Sequence, residues 1–434
     1  MNVRKYVYLL GVRVRNNYII PNLRFLLQSQ KLDINSLQNY QYAKLKELLE
    51  HAYKESEYYK NVFDKNNIHP NDIETLGDLK KIPYLTKDDL LKNTQKIQIR
   101  NGSEKLFYSE TSGSTGKPLV FFRNKSWDAW HRASVFRGYL WHGVKLWEKN
   151  GYLWGYNFAL AKRLKTRILD CLQNRFRLFS YKDDEINKFI TKLTKATYLG
   201  GYSSMIYEVA KRVNSISKNN TKFNLKMIKG TSEKILDKYQ DEVQDAFGSK
   251  IISEYGSAEA GIIAFECIEG NMHINMETVI VEQEANEIIV TNLVSHSFPI
   301  IRYKLGDYIE IDNHTHCKCG MQHQIIKEIA GRVGGKIYGY KNQYPSLTIY
   351  YVFKNLAMGH DLILNYQVVQ LKKGELIVYI ENELSNDDKT LLLNEFGNYF
   401  NDDIRLNIID RSDLSSKDMK KKDFISKISA IQGN

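Results

Sequence analysis

The chain has 434 residues, 43% hydrophobic and 26% charged, with a formal net charge of +12. That length exceeds a single small core and implies two domains, one of them large. No apolar run approaches the ~20 residues a membrane-spanning helix needs. No hydrophobic segment precedes a small-residue cleavage site, so the expected location is the cytoplasm.

Met1–Gln30 carries Arg4, Lys5, Arg13, Arg15 and Arg24 and no acid. Two readings stay open: a basic helix packed on the body, or a peripheral contact with an anionic membrane surface. Neither this stretch nor the basic run Lys417–Lys427 interleaves aromatics as a nucleic-acid platform does, so nucleic acid is not an expected partner. Ile34–Phe63 reads as a helix, with Leu45, Leu48, Leu49 and Tyr53 on one stripe. Ile82–Leu90 then reads as a turn followed by a helix that Thr86 caps.

Tyr108–Pro118, YSETSGSTGKP, packs two glycines and five Ser/Thr hydroxyls into eleven residues. Gly113 and Gly116 let the backbone turn sharply enough for successive N–H groups to face one anion. Thr111, Ser112, Ser114 and Thr115 add hydroxyls, and Lys117 adds a charge. Taken alone, such a run is also what a solvated surface turn looks like. It is not a Walker A loop, which needs Gly at Thr111 and Ser or Thr at Pro118. The aromatic stretch Trp127–Trp154 contains Trp130, His131, Phe136, Tyr139, Trp141 and Trp154. Most of it is expected in the core, and part is expected to wall an apolar substrate pocket.

Helix and strand patterns then alternate. Asp184–Lys195, Ser203–Ser217 and Ile235–Phe247 read as helices. Ala196–Leu199 is a short apolar run, and Lys250–Tyr255 reads as a strand. This alternation predicts an α/β class: a large multi-layer α/β domain. Glu277–Gln283 and Asn286–Leu293 read as a hairpin, and Pro299–Ile311 as a further strand. The glycine cluster Gly331–Lys336 marks the expected boundary between a large domain, 1–331, and a small mobile α+β domain, 332–434. In the latter, Leu347–Met358 and Asn386–Phe400 read as helices; Leu364–Leu371, Glu375–Glu381 and Ile404–Ile409 read as strands.

Four single residues offer chemistry, and each has a plain alternative. Glu259, in EYGSAEAG (Glu254–Gly261), can hold a magnesium ion or simply be a helix-start acid. Asp307, ending RYKLGD (Arg302–Asp307), can accept from both hydroxyls of a ribose or be a turn residue. Arg332 can reach phosphate or ribose, or be a surface charge. Lys420, in MKKKDFISKI (Met419–Ile428), can swing inward or belong to a solvated basic face.

Taken in order, TSGSTGKP, GTSE (Gly230–Glu233), EYGSAEAG, FPIIRYKLGD and GRVGG resemble the motifs of the adenylate-forming acyl-CoA synthetase and luciferase superfamily. GGYSS (Gly200–Ser204) resembles the GYPS element of its phenylacetate–CoA ligase branch, with Ser203 replacing proline. KELLEHAYKESEYYK and KIPYLTKDDL are similar to the capsular polysaccharide biosynthesis protein CapK subgroup. The resemblance spans nearly the whole chain. It implies an ATP-dependent enzyme that joins a carboxylic acid to AMP and passes the acyl group to an acceptor. That acceptor is a sugar amine or hydroxyl of a surface polysaccharide building block, or coenzyme A. A homologue that kept the fold without the reaction would be a scaffold; Glu259, Asp307 and Lys117 argue against that.

The resemblance also implies residue roles. Thr111, Ser112, Gly113, Ser114, Thr115, Gly116 and Lys117 hold the leaving phosphates. Gly230, Ser232 and Glu233 line the adenine. Tyr255, Gly256 and Ser257 flank adenine and substrate, Glu259 binds magnesium, Asp307 takes the ribose and Arg332 lies at the hinge. Lys420 bridges substrate carboxylate and α-phosphate. Gly334 stands where the family has a hinge Asp or Lys, and Met419 replaces the glycine before the lysine, leaving Lys421 and Lys422 as rivals. In the branch, positions matching Cys267, His273, Cys317 and Cys319 form a structural zinc set. His314, His316 and His323 are alternative ligands nearby, and Cys171 has no role beyond packing.

Overall fold

The structure, a computed structural model, describes all residues except 1–2, 101–103, 112–118, 154–159, 179–182, 217–221, 232–234, 236, 285–286, 313–314, 331–335, 361, 363, 365, 381–382, 411–423, 427 and 429–434. The chain forms two compact units: Met1–Glu110 with Val120–Arg332, and Thr111–Leu119 with Val333–Asn434.

The large unit opens with helices α1 (Val3–Arg15), α2 (Ile19–Ser29), α3 (Ile34–Glu55), α4 (Glu57–Lys65), α5 (Lys87–Lys92) and α6 (Thr94–Ile97). The helix expected over Ile34–Phe63 is two helices. Ser56 adopts an extended backbone and caps the second one, its hydroxyl accepting from the Tyr59 amide. Thr86 caps α5 as expected, with Asp89 returning a carboxylate to the Thr86 amide. Strands β1 (Phe107–Glu110) and β2 (Val120–Arg123) pair as an antiparallel hairpin and lead into α7 (Lys125–Trp141).

From there the chain alternates as the pattern predicts. The order is β3 (Asn150–Leu153), α8 (Leu160–Leu172), β4 (Arg175–Arg177), α9 (Asp183–Leu193), β5 (Tyr198–Tyr202), α10 (Ser203–Ile216), β6 (Met227–Thr231), α11 (Asp237–Phe247) and β7 (Ile251–Ser257). Helical crossovers place β4 on one side of β3 and then β5, β6 and β7 in turn on the other, so strands β4, β3, β5, β6 and β7 lie parallel in that spatial order. An antiparallel extension follows: β8 (Gly261–Glu266), β9 (Met272–Ile274), β10 (Val279–Glu284), β11 (Glu287–Asn292), β12 (Ile300–Asp312) and β13 (Ile325–Ala330). Beyond β7 the spatial order is β8, β9, β13, β12, β11, β10. The expected hairpin is β10 with β11, and the expected strand after it is β12.

The small unit holds a hairpin of β14 (Lys336–Tyr338) and β15 (Gln343–Pro345), then α12 (Leu347–His360), β16 (Tyr366–Lys372), β17 (Glu375–Ile380), α13 (Asn386–Phe400), β18 (Arg405–Asp410) and β19 (Phe424–Ser426). Its four-stranded sheet runs in the order β18, β17, β16, β19. Phe353, Leu356, Val368, Val378, Phe396 and Phe400 form its core. Fifteen residues of α13 match the sequence expectation end to end, because Ser385 caps it and its apolar face is regular.

One buried ion pair ties the large unit together. Arg137 of α7 and Glu277, between β9 and β10, both have fully buried side chains, 2.6 Å apart. The second guanidinium nitrogen reaches the other Glu277 oxygen at 3.0 Å and Asn275 Oδ1 at 2.5 Å. Ser29 Oγ and His323 Nε2 complete the carboxylate's shell. Burial works against the ionised form, but Arg137 and His323 hold the Glu277 carboxyl well below the usual range. Removing one partner of such a pair leaves an uncompensated buried charge. Arg137→Ala is therefore expected to cost about 3–5 kcal/mol of stability, measured by urea unfolding. A loss under about 1 kcal/mol would mean the pair is not structural.

Candidate functional site

The carboxyl ends of parallel strands collect ligands because the crossover loops open there. Register places Gly201 beside Gly230 and Tyr202 beside Thr231, and then Thr231 beside Glu254. The GGYSS segment, the start of GTSE and the EYGSAEAG turn thus share one edge. The fit is tight: a Cβ on Gly230 would meet the Ser203 hydroxyl at 2.5 Å, and one on Gly256 would overlap the Gly261 carbonyl. Small residues at these points bring the three strand ends close.

Glu259, nearly buried, sits in the turn between β7 and β8. Lys87 Nζ, on α5, is 2.7 Å from Glu259 Oε1, and the Tyr303 hydroxyl donates to the same oxygen at 3.3 Å. Tyr255 Oη donates to Asp307 Oδ2 at 2.9 Å. Strand β12, which carries Asp307, lies four places from β7 in the sheet. In a flat sheet that is about 19 Å, far beyond a tyrosine's reach. The antiparallel half must curl back over β7, and that curl brings Tyr255 and Asp307 together.

Arg302 anchors the curl. Its backbone is left-handed (φ 50), and its buried guanidinium spans Glu282, Glu284 and the Ile82 carbonyl. The Leu85 amide donates to the Arg302 carbonyl, and the Lys304 amide to the Leu85 carbonyl. The segment before α5 is thereby stitched along β12, which aims Lys87 at Glu259. Lys87, Tyr303 and Arg302 were not among the expected site residues. Thr86 marked the start of a helix, but nothing local tells which carboxylate that helix faces.

Thr111 is buried; its amide donates to the Leu119 carbonyl, and its Oγ1 accepts from the Leu119 amide. These two bonds close the neck of the glycine loop. Ser112, Gly113, Ser114, Thr115, Gly116, Lys117, Ser232, Glu233, Arg332 and Lys420 lie outside the described residues.

Cys267, His273, Cys317 and Cys319 place their ligand atoms within 4.8 Å of one another. Cys267 Sγ and Cys317 Sγ are 3.6 Å apart, and Cys319 Sγ is 3.2 Å from His273 Nε2. A tetrahedron of thiolates about a zinc ion has edges of about 3.8 Å, so the set has metal-site dimensions. His273 Nδ1 is 3.2 Å from the His323 carbonyl, which can only accept. That fixes the proton on Nδ1 and leaves Nε2 bare toward the sulfurs. Burial lowers His273 to about 4, so its ring is neutral, as a ligand must be. His314 lies outside the described residues, and the His323 ring turns instead to Glu277.

On α7, Trp127 Nε1 and His131 Nδ1 are buried and have no hydrogen-bond partner among the described residues. Burial, then the charges of Arg123, Arg132 and Lys229, hold His131 well below its ordinary range. This ring too is neutral.

No family model matches the chain. Over 315 residues, 69% of each chain, it is 29% identical to Protein CapK of Staphylococcus aureus. Over 103 residues, 23% of each chain, it is 34% identical to the phenylacetate–coenzyme A ligase of Aromatoleum evansii. A solved 2-hydroxyisobutyryl-CoA ligase with 2-HIB-AMP and CoA superposes with a TM-score of 0.61 at 15% identity. That superposition covers 92% of this chain and 91% of the other. The resemblance drawn from the motifs holds in sequence and in fold, and the chain is an enzyme of the adenylate-forming ligase type.

Proposed function

We propose that this enzyme uses ATP to activate a carboxylic acid as its acyl-adenylate, then transfers the acyl group to a building block of a surface polysaccharide. The contact of Tyr255 with Asp307, beside the buried Glu259, carries this reading. It gathers a flat ring, a carboxylate for ribose hydroxyls and a carboxylate for a cation at the strand ends where a nucleotide would lie. The 29% identity to CapK over 69% of the chain supports the polysaccharide role. Coenzyme A is the alternative acceptor, and the likeness to the phenylacetate–coenzyme A ligase supports it.

In the reaction the acid's carboxylate attacks the α-phosphorus and pyrophosphate leaves. The protein need supply no nucleophile, only position and charge. Asp307 would accept from the ribose, with Tyr255 holding its carboxylate in place. Thr111 through Lys117 would cradle the departing phosphates. A magnesium ion would neutralise phosphate charge, and Glu259 fits it as a hard oxygen ligand. Lys87, 2.7 Å away, holds that carboxylate in place. Lys420 would bridge the acid and the α-phosphate as a mobile point charge, with Gly331–Gly335 as hinge for the small domain, 332–434.

ATP–pyrophosphate exchange against a panel of carboxylic acids tests the reaction. At least one acid should support exchange, and Lys420→Ala should lose it by a factor of about 100 or more while still binding ATP. Loss on Lys421→Ala or Lys422→Ala instead would move the role. Bound ATP with no exchange across the panel would point to a scaffold.

The four-residue Cys/His set would hold a structural zinc ion, since all four positions belong to protein groups and none is left for substrate. It would staple the β8–β9 turn to the loop after β12. Elemental analysis should find about one zinc per chain, and Cys267→Ser should remove it and lower the melting temperature. Metal-free protein with unchanged stability would refute the assignment.

The N-terminal helix supports membrane contact as a second partner. Val3, Val7, Leu10 and Val14 form an exposed stripe at helical spacing, and Arg4, Lys5, Arg13 and Arg15 are exposed on the same helix. An apolar stripe with basic flanks suits the surface of an anionic bilayer. Vesicles containing phosphatidylglycerol should sediment the protein, neutral vesicles should not, and Leu10→Glu should release it. Equal recovery from both vesicle types would refute this contact. Among the described residues no helix is long and apolar enough to cross a membrane.

A further inference from the structure

Helix α7 presents a polar feature where an apolar pocket wall was expected. Trp127 and His131 are one helical turn apart and on one face. Trp127 is fully buried, and its Nε1 lacks a hydrogen-bond partner among the described residues, as does His131 Nδ1. Buried polar nitrogens without partners are rare in folded proteins, and two on one turn call for an explanation. The nearby acid does not provide it. Asp128 faces the other way, toward Arg15, Arg132 and Asn16.

Both nitrogens point at one place. Gly261 has a left-handed backbone, φ +79, and no side chain; a Cβ built on it would lie 3.9 Å from Trp127 Nε1 and 3.9 Å from His131 Nδ1. Asn292 Nδ2 would lie 3.5 Å away, but its two protons go to the Glu259 and Ala260 carbonyls, so it closes the side of the position without offering it a donor. The Trp127 indole N–H and the His131 Nδ1 nitrogen, neither with a partner among the described residues, therefore flank a position that the chain leaves without a side chain, two residues from Glu259. Arg123, Lys229 and Arg132 contribute positive charge around His131. Lys229 is paired with Glu254 at 2.6 Å, and Arg123 lies over the Trp127 ring. The surroundings favour an acceptor over a hydrocarbon.

We propose that the acyl part of the substrate carries an oxygen acceptor, a hydroxyl or a second carboxylate, which seats over Gly261 between Trp127 and His131. This rests on the reading that Glu259 marks the reacting centre, and it narrows the acid to a polar class. A phenyl or plain alkyl acid would leave the Trp127 N–H and His131 Nδ1 buried without a partner, which a hydrogen-bonding site rejects strongly.

Matched four-carbon acids separate the cases: hydroxybutyrate, succinate and butyrate. In pyrophosphate exchange the wild type should prefer hydroxybutyrate or succinate over butyrate by about tenfold or more in kcat/KM, and which of the two leads identifies the acceptor. Trp127→Phe keeps the ring and deletes the N–H, so it should bring the preferred-to-butyrate ratio toward one. His131→Gln, with circular dichroism as a folding check, provides a second variant. Equal use of all three acids, or a ratio that neither variant moves, overturns the proposal. Should no acid support exchange, the adenylation reading fails on its own. Calorimetric binding of the same acids to wild type and Trp127→Phe then decides the pocket. Tighter binding of an oxygen-bearing acid to the wild type alone supports it, and equal binding ends it.

Discussion

The large unit is organised around a charge pair that water cannot reach. Arg137 and Glu277 meet with both side chains fully buried, and Asn275, Ser29 and His323 add hydrogen bonds to the pair. Such a pair adds little net stability compared with hydrophobic packing, but it tolerates only one arrangement of its partners. It sets α7 against the turn between β9 and β10. Every feature on α7, including the row of Trp127 and His131, takes its place from that registration.

The same network reaches the Cys/His set. His323 faces Glu277 through its ring and His273 through its carbonyl, so the residue that shields the ion pair also sets the tautomer of a metal-type ligand. The two polar centres stabilise each other's geometry by hydrogen-bond direction, independent of the hydrophobic core. On the opposite side of the sheet extension, Arg302 does similar work for the curl. It gathers Glu282, Glu284 and the Ile82 carbonyl and leaves Asp307 facing Tyr255. Buried arginines with forked hydrogen bonds hold this site; the turns themselves carry little intrinsic rigidity.

Local signals made much of the fold legible. Alternating periodicity placed α9, α10, α11 and β7 and marked the start of β5, while β4 and β6 carried no expectation; Ser385 with a regular apolar face placed α13. Hidden strands were short or interrupted: β8, β9 and β13 are pieces of three to six residues whose pairing depends on distant neighbours. The single helix expected over Ile34–Phe63 failed at Ser56, where a side-chain cap outweighed an unbroken apolar stripe. At the site, Glu259 and Asp307 stood out because they are acids within glycine-containing motifs. Lys87 did not, since a lysine at a helix start reads as solvated surface until a carboxylate is found opposite it.

Composition and periodicity determined the α/β class, and the order of the motifs pointed to the adenylate-forming type and to a small set of candidate residues. Those properties are written in spacing along one dimension. Which side chains meet across the sheet was decided only in three dimensions: Tyr255 with Asp307, Lys87 with Glu259, and Trp127 and His131 facing the space above Gly261. Pairing of that kind follows from sheet curvature and from buried ion pairs between residues 140 apart, such as Arg137 and Glu277. A periodic pattern records which face of an element is buried, but not which element covers it.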